Sequence, residues 1–438
     1  MDNSKGRQAI NSWGIFLIDD IKSPQRNSIA MGPFGSNIKK ENFQAEGIPV
    51  IRGNNLKNSK FVDCNFVYIS DKLANQLSAS LARRLDIILT HRGTIGQVAI
   101  IPPNSKFNTY IVSQSQMKLT LDQTKCDPYF VYYFLRSEFG ISQFLSNSSQ
   151  TGVPAIASPT TALKSIKIPL PPLNKQKAIA KILFDLDSKI ELNQKMNKTL
   201  EAIAQAIFKH WFINFEFPNE EGKPYKSSGG ETVDSELGEI PKGWNIRKLG
   251  DLGKIVCGKT PSTKDETNFG QDVPFITIPD MRGNVFTFKT ERYLSTKGAN
   301  SQETKFLPPL SVCVSCIATP GLVTLTSTTS QTNQQINSII CKEGLSPFFV
   351  YFVSKEKSQE IIYKGLGGTA TLNLNTSEFS NLKVILPDLV TLKNFHDFTT
   401  QFFKKILNNS KEILVLFDIR DSLLPRLMTG KIRVPLEE

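Results

Sequence analysis

Residues 253–260, Gly-Lys-Ile-Val-Cys-Gly-Lys-Thr, fit G-x-x-x-x-G-K-[ST], the loop whose main-chain amides cradle nucleotide phosphates. That chemistry needs a buried strand before the loop and a helix N-terminus after it, so that the amides converge on the anion. Here Arg247-Lys248-Leu249-Gly250-Asp251 precedes it and Pro261-Ser262-Thr263-Lys264-Asp265 follows. Neither has the apolar pattern required, so the match reads as chance. Cys313 and Cys316 make a C-x-x-C pair, but no second pair completes a zinc site, and strand alternation accounts for Cys313 as a small core residue. Pro279-Asp280 with Glu303-Thr304-Lys305 imitates a nuclease carboxylate pattern. Asp127-Pro128-Tyr129-Phe130 imitates an amino-methyltransferase loop without its second proline, and reads better as a helix cap. The three histidines, His91, His210 and His396, join no triad or carboxylate pair. The expectation is a chain with no catalytic centre and no metal site.

Bulk properties point to the kind of partner. Lys and Arg total 52 against 40 Asp and Glu, a formal net charge of +12, which favours a polyanion whose counterions are released on binding. Hydrophobic content of 39% and charged content of 21% are ordinary for a globular protein. No apolar run approaches the ~20 residues that cross a bilayer. Six scattered cysteines and an N-terminus without an apolar leader core lead us to expect a cytoplasmic chain without disulfides or membrane contact.

The elements that position these residues come twice. Pro49 in Gly47-Ile48-Pro49-Val50-Ile51 corresponds to Pro274 in Asp272-Val273-Pro274-Phe275-Ile276, 225 positions on. The same shift carries Ile87-Ile88-Leu89-Thr90, with Thr94 and Gly96 behind it, onto Val312-Cys313-Val314-Ser315, Thr319 and Gly321. Asp127-Pro128-Tyr129-Phe130 maps onto Ser346-Pro347-Phe348-Phe349 at 219, and Gly152 onto Gly368 at 216. Each half predicts short strands, then a short helix capped by Asp127 or Ser346 with proline at its first position. A long helix follows. Residues 175–212 contain no Pro or Gly, and Ile179, Leu183, Leu186, Ile190, Leu200, Ala204, Ile207 and Trp211 fall on one heptad seam shared with Asn193 and Asn197. A shift of 216 repeats the seam as Phe402, Ile406, Asn409, Leu416, Leu423 and Leu427. The second helix is expected from about 389 to 424, since the residue before Pro425 avoids helical geometry. The fold class is therefore α+β: a tandem duplication of a globular α/β domain and a long helix, the helices pairing as an antiparallel coiled coil. The domains are 1–168, a helical region 169–216, an exposed linker 217–240, a second domain 241–386, and a helical region with tail 387–438.

The order of local phrases resembles the specificity (S) subunit of type I restriction-modification enzymes over nearly the whole chain. The phrases are Pro169-Leu170-Pro171-Pro172-Leu173-Asn174-Lys175-Gln176-Lys177-Ala178-Ile179, Trp211-Phe212, Gly238-Glu239-Ile240-Pro241-Lys242-Gly243-Trp244, Gly32-Pro33-Phe34-Gly35-Ser36, and Arg420-Asp421-Ser422-Leu423-Leu424-Pro425-Arg426-Leu427. Lys175 stands where the family often has an acid, and Pro387-Asp388-Leu389 replaces a full Pro-Leu-Pro-Pro phrase. The resemblance implies a non-catalytic reader of double-stranded DNA, with two target-recognition domains for the halves of a split site. The paired helices would set the spacer and dock two modification (methyltransferase) subunits, with restriction (motor and nuclease) subunits outside. S-adenosylmethionine, ATP and Mg2+ would then be bound by the partner subunits and none by this chain.

Base edges are read by Asn and Gln at adenine, Arg and Lys at guanine, and Ser or Thr at several bases. The candidate DNA-binding residues are Ser36, Arg52, Asn54, Asn55, His91, Arg92, Thr94, Gln114 and Gln116 in the first domain. In the second they are Lys259, Thr260, Thr277, Asp280, Arg282, Thr319, Asn333 and Gln335. His91-Arg92-Gly93 against Cys316-Ile317-Ala318 predicts different half-sites, hence an asymmetric target. Two alternatives remain at this point. A self-contained DNA methyltransferase or nuclease would bind S-adenosylmethionine or modify DNA without partners, and a protein-only coiled-coil scaffold would bind no DNA.

Overall fold

A computed structural model describes residues 13–34, 37–56, 60–146, 148–149, 152–365 and 373–435. Contacts gather the chain into two units: the residues up to 189 with those from 416 onward, and residues 190–415.

In the first unit one antiparallel sheet has the order Ile29–Met31, Gln116–Leu119, Ile87–Thr90, Val98–Ile100. A second has the order Val67–Ile69, Ile48–Ile51, Thr109–Val112, Leu81–Arg83, its middle pair parallel. The run Ile87-Ile88-Leu89 is apolar throughout because both of its faces are covered. Ile87 and Leu89 pack with Phe130, Val131 and Phe134, while Ile88 alternates to the other side and packs with Tyr110 and Val112. The helix Pro128–Arg136 starts as expected, the Phe130 amide donating to the Asp127 carboxylate at 2.9 Å.

The second unit repeats this plan. Its larger sheet has the order Gly253–Cys257, Ile336–Cys341, Val312–Ser315, Val323–Thr326, Phe286–Thr287, and a smaller one pairs Phe269–Ile276 with Arg292–Leu294 and, in parallel, with Gln331–Thr332. Ser346 caps the helix Pro347–Glu356 as Asp127 caps its counterpart. Gly368 lies outside the described residues.

The central helix is Leu173–Phe208, two residues earlier at its start than expected, and its predicted last turn is a π-helical one, Lys209–Ile213. The C-terminal helix is Leu389–Met428, and here the expected stop before Pro425 is corrected, because the helix runs through that proline. A helix-interior proline costs ~3 kcal/mol. Leu427 and Met428, 1% and 3% exposed, lie in the first unit's core. Burying two such side chains contributes about 1.5–3 kcal/mol each, enough to hold the last turn.

Within the second unit the helices pair antiparallel. Asn193 Nδ2 donates to Glu412 Oε2 at 2.9 Å, Asn197 Nδ2 to Ser410 Oγ at 3.1 Å, and Asn409 Nδ2 to Asn197 Oδ1 at 2.9 Å. Within the first unit Asp187 receives Arg420 at 2.8 Å, Arg136 at 3.0 Å and the Tyr133 hydroxyl at 3.0 Å. The stretch 217–240 is mostly exposed yet ordered. Phe217 stacks on Tyr225 and Trp244 with ring centroids at 4.5 and 4.8 Å, and Thr232–Ser235 pairs with Gly238–Pro241 as a hairpin.

Candidate nucleic-acid interface

Sheet topology decides where the polar loops emerge. Ile48–Ile51 and Thr109–Val112 run parallel, so their following loops leave at one end, and Ser113 N donates to Ile51 O at 2.9 Å. Thr90 pairs with Gln116 and Met31 with Met117, which brings the loops after those strands to the same end. Loops 32–34, 52–56, 91–97 and 113–115 therefore form one cluster. In the second unit loops 258–260, 277–282, 316–321 and 333–335 form its counterpart, with Asn333 N donating to Ile276 O at 3.2 Å.

Hydrogen bonds repeat as faithfully as the strands. Gly32 N donates to Gln116 O and Gly258 N to Ile336 O, at 2.9 and 3.0 Å; His91 N donates to Ser115 O and Cys316 N to Gln335 O, at 3.0 and 2.8 Å. Gly96 and Gly321 share positive φ values of 85° and 89°, and Gly93 at 84° is matched by Ala318 at 62°, a left-handed position that a Cβ tolerates poorly.

All described candidates lie in or beside these clusters, but they differ in what they present. Asn54, Arg92, Thr94, Gln114, Lys259 and Arg282 are exposed; Arg52, Thr260, Thr277, Thr319, Asn333 and Gln335 are half-buried; Asn55, His91, Gln116 and Asp280 are buried. Ser36 lies outside the described residues. Asn55 is spent inside its loop: its Oδ1 accepts from Arg52 N at 3.0 Å, and its Nδ2 donates to Val62 O and Cys64 O at 3.1 and 3.0 Å. Gln116 donates to Thr90 Oγ1 at 3.3 Å and accepts from the Ser113 hydroxyl. Asp280 accepts from Thr277 N, Thr277 Oγ1 and Glu291 N at 2.8, 2.6 and 2.9 Å. These three position the loops instead of presenting groups to a ligand. Gln335 is held by Asn333 Nδ2 at 3.0 Å. His91 sits under the 113–115 turn, where burial pushes its imidazole pKa down and a bond to the Gln114 main chain partly offsets that; its Nε2 is buried with no partner among the described residues.

Sequence reasoning missed Gln334. It is exposed at the tip of the turn 333–335, as Gln114 is at the tip of 113–115. A shift of 220 sets it opposite Gln114 in the sequence, but its exposure emerges only in the structure, where the burial patterns of the two strand–turn–strand segments coincide residue for residue.

The sequence motifs set aside as imitations have structural explanations. Gly253–Cys257 is a sheet strand, and no helix starts at Gly258–Thr260, since residues 258–262 are irregular loop. A Cβ on Gly258 would lie 2.1 Å from Asn333 O, and one on its counterpart Gly32 would lie 1.9 Å from Ser113 O. The second glycine of the apparent phosphate loop is thus required by strand packing. Cys313 and Cys316 are buried, with thiol pKa values pushed up to about 12 and about 11 by burial. Among the described residues no three His, Cys, Asp or Glu side chains group so as to hold a metal ion, and no helix is long and apolar enough to cross a membrane.

Two repeats that each present one cluster of rigidly held polar loops, each followed by a long helix, define a recognition protein with two reading surfaces. The model of the type I restriction modification DNA specificity domain matches residues 35–202 and again 241–416. The chain is 34% identical to the specificity subunit of the type I restriction enzyme HindI of Haemophilus influenzae, over 92% of this chain and 98% of that one. It is 28% identical to the MjaIX specificity subunit of Methanocaldococcus jannaschii, over 96% and 94%. The crystal structure of a type I restriction-modification S subunit from M. genitalium shares the fold, with a TM-score of 0.57 at 14% identity over 97% of each chain. The protein belongs to the type I restriction-modification specificity-subunit family.

Proposed function

We propose that this chain is the sequence-specific, non-catalytic DNA-binding subunit of a type I restriction-modification complex, each loop cluster reading one half of an asymmetric bipartite site. The observation that carries this reading is the repeat of one backbone arrangement with different side chains on it. The backbone hydrogen bonds shared by the two clusters support one mode of reading for each, and the different residues at 91–93 and 316–318 support different half-sites. Arg92, Lys259 and Arg282 are exposed cations suited to phosphate or guanine. Asn54, Thr94 and Gln114 offer neutral donor and acceptor pairs to base edges.

The partners are two modification subunits, which supply S-adenosylmethionine and transfer methyl groups to adenine, and restriction subunits, which supply ATP- and Mg2+-dependent translocation and cleavage. The paired helices set the spacer and carry the modification subunits. Single-molecule sequencing of DNA methylated by the assembled complex tests the reading: an asymmetric bipartite motif is expected, and a palindromic one contradicts it. Arg92→Ala and Arg282→Ala each remove one charge and should weaken DNA binding by up to roughly tenfold at low salt. Unchanged affinity and specificity in both would remove those residues from the interface.

A further inference from the structure

Among the loops at the reading ends, one is the same in both units down to the residue it presents. The turns 113–115 and 333–335 are each pinned from three neighbours. Ser113 N and Asn333 N donate to the strands that end at Ile51 and Ile276; Ser115 O and Gln335 O accept from His91 N and Cys316 N; Gln116 O and Ile336 O accept from Gly32 N and Gly258 N. Gln116 N and Ile336 N close the turns onto Ser113 O and Asn333 O at 2.9 and 3.2 Å. Gly32 and Gly258 press so closely on these turns that no side chain fits between. On each turn the flanking side chains are half-buried or buried, and one residue is exposed: Gln114 in the first unit, Gln334 in the second. The Thr260 hydroxyl donates to Gln334 Oε1 at 2.7 Å and orients that amide.

We propose that Gln114 and Gln334 are equivalent specificity-determining residues, each reading an adenine at the same register position of its own half-site. This rests on the DNA-reading function proposed above and adds the base and the residues. A carboxamide carries a donor and an acceptor side by side, which match N7 and the N6 amino group of adenine in the major groove. A rigid turn makes the match selective, because a side chain on a fixed backbone loses little further freedom when it binds. The neighbouring loop differs between units, at His91-Arg92-Gly93 against Cys316-Ile317-Ala318, so the half-sites share this A·T pair while differing around it.

The test uses the complex assembled with its modification subunits. Its methylation motif is mapped for the wild type, Gln114→Ala, Gln334→Ala and the shortened amide Gln114→Asn, alongside competition binding to duplexes in which single base pairs are exchanged. Gln114→Ala and Gln114→Asn should relax one base pair in one half-site, and Gln334→Ala one base pair in the other. Discrimination at that pair should fall about 5- to 150-fold, with thermal midpoints unchanged. Motifs that keep every base pair would overturn the proposal. So would an equal loss of affinity for all sequences, since a base contact affects only its own pair. A wild-type complex with no bipartite motif would instead defeat the function proposed for the chain, which separates the two failures.

Discussion

Gly258 shows how a residue type that suggests one chemistry serves another. It completes a phosphate-loop signature, yet its counterpart Gly32 belongs to no such signature and meets the same carbonyl at the same closeness. Gly258→Ala and Gly32→Ala force a Cβ onto a backbone oxygen, and each should lower unfolding stability by about 1–3 kcal/mol. Denaturant titration measures that, while ATP should leave the wild-type midpoint unshifted. The cysteines give a second residue-level test. Cys64 is exposed, whereas Cys313 and Cys316 are buried with thiols raised to about 12 and about 11. Alkylation at mildly alkaline pH should modify Cys64 in the native chain and the other two only after unfolding, because the thiolate is the reactive form.

At the scale of elements, the helices are registered by polar groups that the heptad seam buries. Asn193 and Asn409 are each 1% exposed. The repeat-equivalent asparagines do not bond to one another; Asn193 meets Glu412 and Asn409 meets Asn197. Asp187 ties the central helix to Arg420 of the other long helix and Arg136 of the short one, all about one-tenth exposed. Burial works to raise its pKa, but the two guanidinium groups outweigh that and hold it below the ordinary carboxylate value. A depressed folded pKa stabilises the fold above the ordinary value, and this contribution is lost as pH falls through the lower one, hence below about pH 4. Asp187→Asn takes from the buried Arg136 its carboxylate partner, while Arg420 keeps Asp421 at 2.7 Å, so it should cost about 3–5 kcal/mol near neutral pH and flatten the acid limb of the stability profile. Urea unfolding across pH 2–7 measures both (a window chosen to bracket ordinary carboxylate titration).

At the scale of the whole molecule, a pair of helices with a fixed register acts as a ruler in the proposed function. Four residues inserted into each helix, level with the contact of Asn193 and Glu412, add about 6 Å. That is close to two base-pair steps. The mapped motif should keep both half-sites and gain one or two base pairs between them. Altered half-sites with an unchanged spacer would contradict the ruler.

The duplication, the strands at 87–90 and 312–315, the capped short helices and the antiparallel seam were all legible in the sequence. Each rests on a local period or on a recurring phrase, and neither needs knowledge of distant contacts. Three features depended on tertiary structure. The C-terminal helix continues past Pro425 because Leu427 and Met428 find a core contributed by distant segments. Asn55, Gln116 and Asp280 look like base readers in sequence, but Val62 and Cys64 farther along its loop engage Asn55, and Thr90 and Glu291 from other segments engage Gln116 and Asp280. Gln334 escaped notice because presentation to a ligand depends on which side chain of a turn the neighbouring loops leave uncovered. Residue type set what these groups can bond to, and only packing decided whether that bond faces the protein or its ligand.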